Sequence, residues 1–229
     1  MADLAEPHGA LIVFEGVEGA GKSTQVRRLG GRLRSAGVSC VTVREPGGTP
    51  VGDVIRELLL DPSRHLDPRT EALLFMASRA QLVRDLVLPA LAGGGVVLSD
   101  RFFLSTYAYQ IAGRGLAEEE VRRANALATG GLVPDLTLLL DLPSRDGFQR
   151  AERRGDPDRI ERSGDAFHAR VREAFIEYAT PEWQRSHPEC GPIALIDAMG
   201  SEDEVSARIV EVLAERWPRT FAALAGSHS

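Results

Sequence analysis

Lysine is almost missing from this sequence. Of its 27 basic side chains, all but Lys22 are arginine. An arginine bias carries no mechanism by itself, but one lysine kept against it marks a position that needs a compact ammonium, where a planar guanidinium does not fit. The same scarcity excludes the guanine-reading nucleotide switches, whose Asn-Lys-x-Asp element requires a lysine other than Lys22.

Cysteine is nearly as rare. Cys40 and Cys190 form no metal spacing and are too few for a disulfide framework, which fits two reduced thiols in an intracellular protein. No apolar run approaches the length of a membrane span, and the N-terminal MADLAEPHGA has acids and a proline where a signal peptide has basic and then apolar residues. A soluble, cytoplasmic protein with no membrane partner is expected. A positive charge excess is also missing: the net charge is −6, which argues against a general nucleic-acid binder. Any anion held here must be held locally.

What is present is enough for a core, since 43% of the 229 residues are hydrophobic, and the length suits a single domain. Apolar runs of strand length alternate with stretches of helical period. The strand candidates are residues 10–15 (ALIVFE), 38–43 (VSCVTV), 93–100 (GGGVVLSD), 136–142 (LTLLLDL) and 192–197 (PIALID). Continuous apolar runs of this kind suit strands buried on both faces of a parallel sheet. Val26, Leu29 and Leu33 mark a helix ended by Gly37, and Val54, Ile55, Leu58 and Leu59 mark a short one. Pro68 opens a longer helix running towards Pro89, Phe167, Val171 and Phe175 mark another, and Val205, Ile209, Val212 and Leu213 a last one. The fold class is therefore α/β, a five-stranded parallel sheet flanked by helices in three layers. The tail after Trp217, residues 218–229, is expected to fray.

The first strand runs into GVEGAGKS, which fits G-x-x-x-x-G-K-[ST] through Gly16, Gly21, Lys22 and Ser23. The glycines let the backbone N–H groups of Val17, Gly19 and Ala20 turn inward, and the following helix adds its positive end. Lys22 is placed to reach the β- and γ-phosphates of a nucleotide, and Ser23 to ligate Mg²⁺, with Thr24 behind it. Three further stretches bear on the acceptor. REPGGT (44–49) follows the second strand, at the sheet edge where open α/β folds bind ligands. In SDRFFLSTYAYQ (99–110), Asp100 ends the third strand, where an acid can hold Mg²⁺ through water. Arg101 supplies a bidentate fork for a phosphate, and Thr106 and Tyr109 share a helix face. In RAERRGDPDRIER (150–162), arginines alternate with acids around Gly155 and Pro157, as suits a mobile loop that closes on a phosphate and excludes water.

Together EGVEGAGKST, REPGGT, DRFFLSTYAYQ, PDLTLLLDL and the arginine-rich segment ending DRIE resemble bacterial thymidylate kinases, from about Leu11 to Trp217. The resemblance implies a P-loop kinase fold with a lid at about 145–163, ATP and Mg²⁺ as cofactors, dTMP as acceptor, and a homodimer. Phe75 is implied to stack on thymine and Arg79, one turn on, to hydrogen-bond its carbonyl. Arg101 is implied to grip the 5′-phosphate, Thr106 and Tyr109 to lie near base and sugar, Glu18 to help place deoxyribose and metal, and Glu45 to lie beside the acceptor. The phosphate loop lacks arginine, so the lid form of the family is implied. Arg154 is then the catalytic arginine, Arg150 and Arg153 its helpers, and Glu152 stands where such lids often carry one more arginine. Two alternatives stay open at this point: a kinase for a free deoxynucleoside, which leaves Arg101 without a phosphate, and an ATPase switch.

Overall fold

The computed structural model describes residues 9–143, 147 and 157–225. Arg150, Arg153, Arg154 and Glu152 lie outside them. Five short strands form one parallel sheet: β1 (Leu11–Glu15), β2 (Cys40–Arg44), β3 (Val96–Asp100), β4 (Leu136–Asp141) and β5 (Ile193–Asp197). Their order is β2-β3-β1-β4-β5. Each of the five expected runs is a strand.

Why those runs are continuously apolar is visible in β1. Leu11 and Val13 enter one core while Ile12 and Phe14 enter the other, so alternation by side still buries every residue. Helices cover both faces: α1 (Lys22–Ser35), α2 (Pro50–Leu60), α3 (Pro68–Leu82), α4 (Phe103–Thr106), α5 (Glu118–Thr129), α6 (Asp165–Tyr178), α7 (Pro181–Ser186), α8 (Glu202–Arg216) and α9 (Pro218–Ala225). Leu29 and Leu33 of α1 and Ile209 and Leu213 of α8 pack with Ile12 and Phe14. Leu82 of α3 and Phe167, Val171 and Phe175 of α6 pack with Leu11 and Val13.

Helix starts follow local chemistry. Thr49 accepts from the Gly52 amide ahead of Pro50, and Asp67 accepts from the Arg69 amide ahead of Pro68. Ser201 and Glu204 form a reciprocal capping box at α8.

Two expectations need correction. The helix opened by Pro68 does not stop before Pro89: it continues through a π-helical turn (Val83–Val87) into a last stretch, Leu88–Ala92. Leu88 donates to the Val83 carbonyl, five residues back, so the ladder changes register just before the proline, which has no N–H to give. The tail does not fray directly after Trp217. Residues 218–225 form α9, and Phe221 and Leu224 are buried against α1 and α8. Trp217, Phe221 and Leu224, at i, i+4 and i+7, carried that signal in the sequence.

Strand register sets the site. Asp100 lies opposite Phe14 on one side and Arg44 on the other, so β1, β2 and β3 end at one edge. The loops that follow them, beginning at Gly16, Glu45 and Arg101, therefore meet at the carboxyl edge of the sheet.

Candidate active site

The phosphate loop curls because its glycines allow it. Gly16, Gly19 and Gly21 have φ of 133°, 77° and 92°. A Cβ on Gly16 would stand 2.4 Å from the Leu140 carbonyl oxygen, so no other residue fits against β4. Likewise a Cβ on Gly19 would stand 2.1 Å from the carbonyl oxygen of Gly147, which puts that residue directly on the loop. Ala20 is buried, while Gly21, Lys22, Ser23 and Thr24 face the cleft.

Lys22 bends back over its own loop. Its Nζ donates to the carbonyls of Gly16 (3.0 Å) and Val17 (2.7 Å) and stands 3.9 Å from Glu18. Burial first, and then Arg101, push its pKa from 10.5 down to about 8, against the pull of Glu18, Asp100 and Glu15. Next to it the Ser23 hydroxyl donates to Asp100 Oδ2. A hydroxyl and a carboxylate side by side at the end of a phosphate loop are hard oxygen donors, and they fit Mg²⁺. No group of three or more His, Cys, Asp or Glu side chains that could hold a metal ion exists among the described residues.

Arg101 is the one non-glycine residue with positive φ, 72°, among the described residues. That backbone costs about 1–2 kcal/mol and persists only where the surroundings enforce it. Here Glu15 enforces it. Fully buried at the end of β1, Glu15 accepts from the amides of Phe102 (2.8 Å) and Ser105 (3.0 Å) and from the Ser105 hydroxyl (2.6 Å). Burial raises its pKa above the usual carboxylate value, and Arg101 and these donors reverse only part of that rise. Thus held, the Arg101 side chain crosses to the phosphate loop. It donates to the Gly16 carbonyl (3.1 Å), Ser105 Oγ (2.8 Å), Glu18 Oε1 (2.7 Å) and the Tyr109 hydroxyl (3.3 Å), with its guanidinium 5.1 Å from the Tyr109 ring centre. The sequence reading missed Glu15, although an acid closing an otherwise apolar strand was a signal.

A cleft of about 610 Å³ runs from this loop towards α3. Glu18, Glu45, Phe75, Arg79, Asp100, Arg101, Thr106 and Tyr109 all line it, as do Gly19, Gly21, Lys22, Ser23 and Thr24 of the phosphate loop, whereas Gly16, Val17 and Ala20 do not. Tyr109 sits in a π-helical turn (Tyr107–Gly113) that extends α4, where Arg114 donates to the Tyr109 carbonyl, five residues back. Arg79 lines the same cleft as Phe75 and is also tied into a buried network. It is 1% exposed and makes four hydrogen bonds, from Nε to Glu45 Oε2 (2.7 Å), from Nη1 to Thr106 Oγ1 (2.9 Å) and Asn125 Oδ1, and from Nη2 to the Phe102 carbonyl (2.9 Å), with Nη2 also ion-paired to Glu45 Oε2 at 2.6 Å. Arg79 therefore anchors Glu45. The other carboxylate oxygen of Glu45, Oε1, is buried with no hydrogen-bond partner among the described residues. Among the lining residues not anticipated are Gln110 and Arg56, which donates to the Pro46 carbonyl (2.9 Å) across the REPGGT loop.

Comparison with known proteins follows the same line. The family model "Thymidylate kinase" matches residues 14–209. Thymidylate kinase of Deinococcus radiodurans is 50% identical over 208 residues, covering 91% of this chain and 98% of the relative. Thymidylate kinase of a Synechococcus strain is 48% identical over 213 residues, covering 92% and 97%. Among solved structures, the crystal structure of thymidylate kinase from Ehrlichia chaffeensis superposes with a TM-score of 0.71 at 28% identity, over 90% of this chain and all of that one.

Proposed function

The chain belongs to the thymidylate kinase family, and from that premise we propose how its own residues carry a phosphoryl group from ATP to dTMP. It phosphorylates dTMP to dTDP. The observation that carries the assignment of roles is a cleft lined by Lys22, Arg101, Phe75 and Gln110 together, in which Arg101 shares the Gly16 carbonyl with Lys22 and also reaches the Tyr109 hydroxyl. In this reading the β- and γ-phosphates of ATP displace Lys22 from the Gly16 and Val17 carbonyls, and the backbone N–H groups from Gly19 to Ser23 hold them. Mg²⁺, held through Ser23 and Asp100, neutralises phosphate charge when bound. Arg101 exchanges its carbonyl and hydroxyl partners for the 5′-phosphate of dTMP, with Glu18 and Tyr109 fixing the fork and Glu18 also facing the sugar. Phe75 stacks on the base, and Thr106 and Gln110 face it. Arg79 keeps Glu45 in place beside the acceptor, leaving Glu45 Oε1 for a donor there. The acceptor phosphate is already ionised near neutral pH, so alignment and charge neutralisation supply the catalysis and no general base is assigned. Arg154, helped by Arg150 and Arg153, reaches the transferring phosphate from the lid.

Steady-state rates with dTMP and with thymidine test this. A preference for thymidine overturns it, and so does ATP turnover that proceeds as fast without dTMP as with it. The reading extends to a cytoplasmic protein of one domain, a homodimer. No described helix is long and apolar enough to cross a membrane. For the dimer, Val51 and Val54 of α2, Leu73 of α3 and Leu127 of α5 are exposed, Leu127 at 86%. Light scattering in solution checks it, and a monomer at assay concentration refutes it.

A further inference from the structure

Behind the base side of the cleft stands a carboxylate to which neither the sequence motifs nor the family comparison gives a task. Glu71, one turn before Phe75 on α3, is 1% exposed. Its Oε1 accepts from Gln110 Nε2 at 2.8 Å and Arg114 Nε at 3.1 Å, while Oε2 takes Arg114 Nη2 at 3.1 Å and Arg159 Nη1 at 2.7 Å. Burial alone would raise its pKa, and these partners more than reverse that, so Glu71 is ionised and only accepts.

Gln110 lines the cleft, and its side-chain oxygen Oε1, unlike its backbone carbonyl, accepts no hydrogen bond among the described residues. A side-chain amide can turn over and exchange its donor and acceptor ends at little cost when its neighbours are indifferent. Glu71 is not indifferent: it tolerates only the NH₂ end, because the flipped amide would set a carbonyl oxygen against a carboxylate. Nor do the adjacent arginines free Glu71 to move, since Arg159 is also tied to the Leu59 carbonyl at 2.8 Å.

We propose that Glu71 is a specificity-positioning residue, which locks the Gln110 amide so that its carbonyl oxygen and second N–H meet the base edge. That pairing suits an imide, N3–H beside a carbonyl, as in thymine and uracil. Cytosine presents an unprotonated N3 beside an amino group and needs the amide turned over. Glu71 thus excludes cytosine without touching it. The inference rests on the reading of the cleft as the dTMP site.

The test is kcat/KM for dTMP and for dCMP in the wild-type enzyme and in Glu71→Gln, whose side chain can present either end to Gln110. The dTMP/dCMP ratio is expected to fall by about tenfold or more, because a hydrogen-bonding site discriminates by leaving the wrong partner unpaired. Purely structural damage lowers both rates together, and an unchanged ratio overturns the proposal. Glu71→Asp keeps the charge that Arg114 and Arg159 need but withdraws it from Gln110, so it gives the same reading if Glu71→Gln does not fold. In the unmodified protein, NMR of ¹⁵N-labelled side-chain amides should find the Gln110 NH₂ pair protected from exchange with dTMP bound, and free exchange overturns the lock. A wild-type enzyme that prefers thymidine to dTMP instead removes the reading on which the lock rests.

Discussion

Replacing Arg101 by glycine and by alanine separates the two tasks the structure gives it. Both changes remove the guanidinium that joins Gly16, Glu18 and Tyr109, but they differ at the backbone, where φ is 72°. A bidentate charge-assisted grip on a phosphate is worth about 3–5 kcal/mol before exchange costs. The bonds that Arg101 gives up to the Gly16 carbonyl and Ser105 offset part of this, which leaves about 3 kcal/mol, or on the order of a hundredfold. Both variants should therefore raise KM for dTMP, or lower kcat/KM, by about that factor. Glycine accepts positive φ freely and alanine does not, so the glycine variant should be more stable than the alanine variant by about 1 kcal/mol, some 2–4 °C in Tm for a chain of this size.

A third readout comes from Lys22, whose pKa Arg101 lowers. Without that neighbour, the pH at which ATP binding weakens should move upward from about 8. Steady-state kinetics over pH and scanning calorimetry measure all three effects. An unchanged KM for dTMP in a folded glycine variant refutes the phosphate role, and equal Tm values refute the backbone account.

The remaining predictions need fewer steps. In the wild-type enzyme, Lys22 is protonated below its pKa of about 8 and loses its charge as pH rises through it, so KM for ATP should climb above pH 8 by up to about tenfold per unit; a flat profile to pH 9.5 refutes this. Arg154→Ala should lower kcat by about two orders of magnitude or more with dTMP affinity little changed, as for arginines that stabilise a transferring phosphoryl group; a surviving kcat refutes the lid assignment. Phe221→Ala should destabilise the protein by about 3–5 kcal/mol, because its ring is 1% exposed; a loss under 1 kcal/mol in chemical denaturation means α9 is not part of the core.

What could be read from the sequence was whatever depended on neighbours in the chain. The strands were legible because burial on both faces leaves an unbroken apolar run, and the phosphate loop because its curl needs glycines at fixed spacing. What could not be read depended on partners brought together by the sheet. Arg79 was legible as a site residue, one turn from Phe75, but its occupation by Glu45, Phe102, Thr106 and Asn125 joins four separate stretches of chain. No spacing rule anticipates it. Glu71 was invisible for the same reason, since its partners Gln110 and Arg114 lie 39 and 43 residues away.

The difference has a chemical consequence for how the acceptor is chosen. Arg79 gives four hydrogen bonds and an ion pair to protein acceptors, so direct reading of the base by Arg79 competes with a buried network. Gln110 breaks nothing: one N–H is held by Glu71, and the rest of the amide is available at the cleft. A substrate that satisfies Gln110 keeps the Arg79–Glu45 network whole, and with it Glu45 Oε1, which has no hydrogen-bond partner among the described residues. In the proposed reading, recognition of the base and positioning of the acceptor belong to separate networks. Damage to the first should therefore appear in the choice among nucleotides, and damage to the second in the rate for all of them.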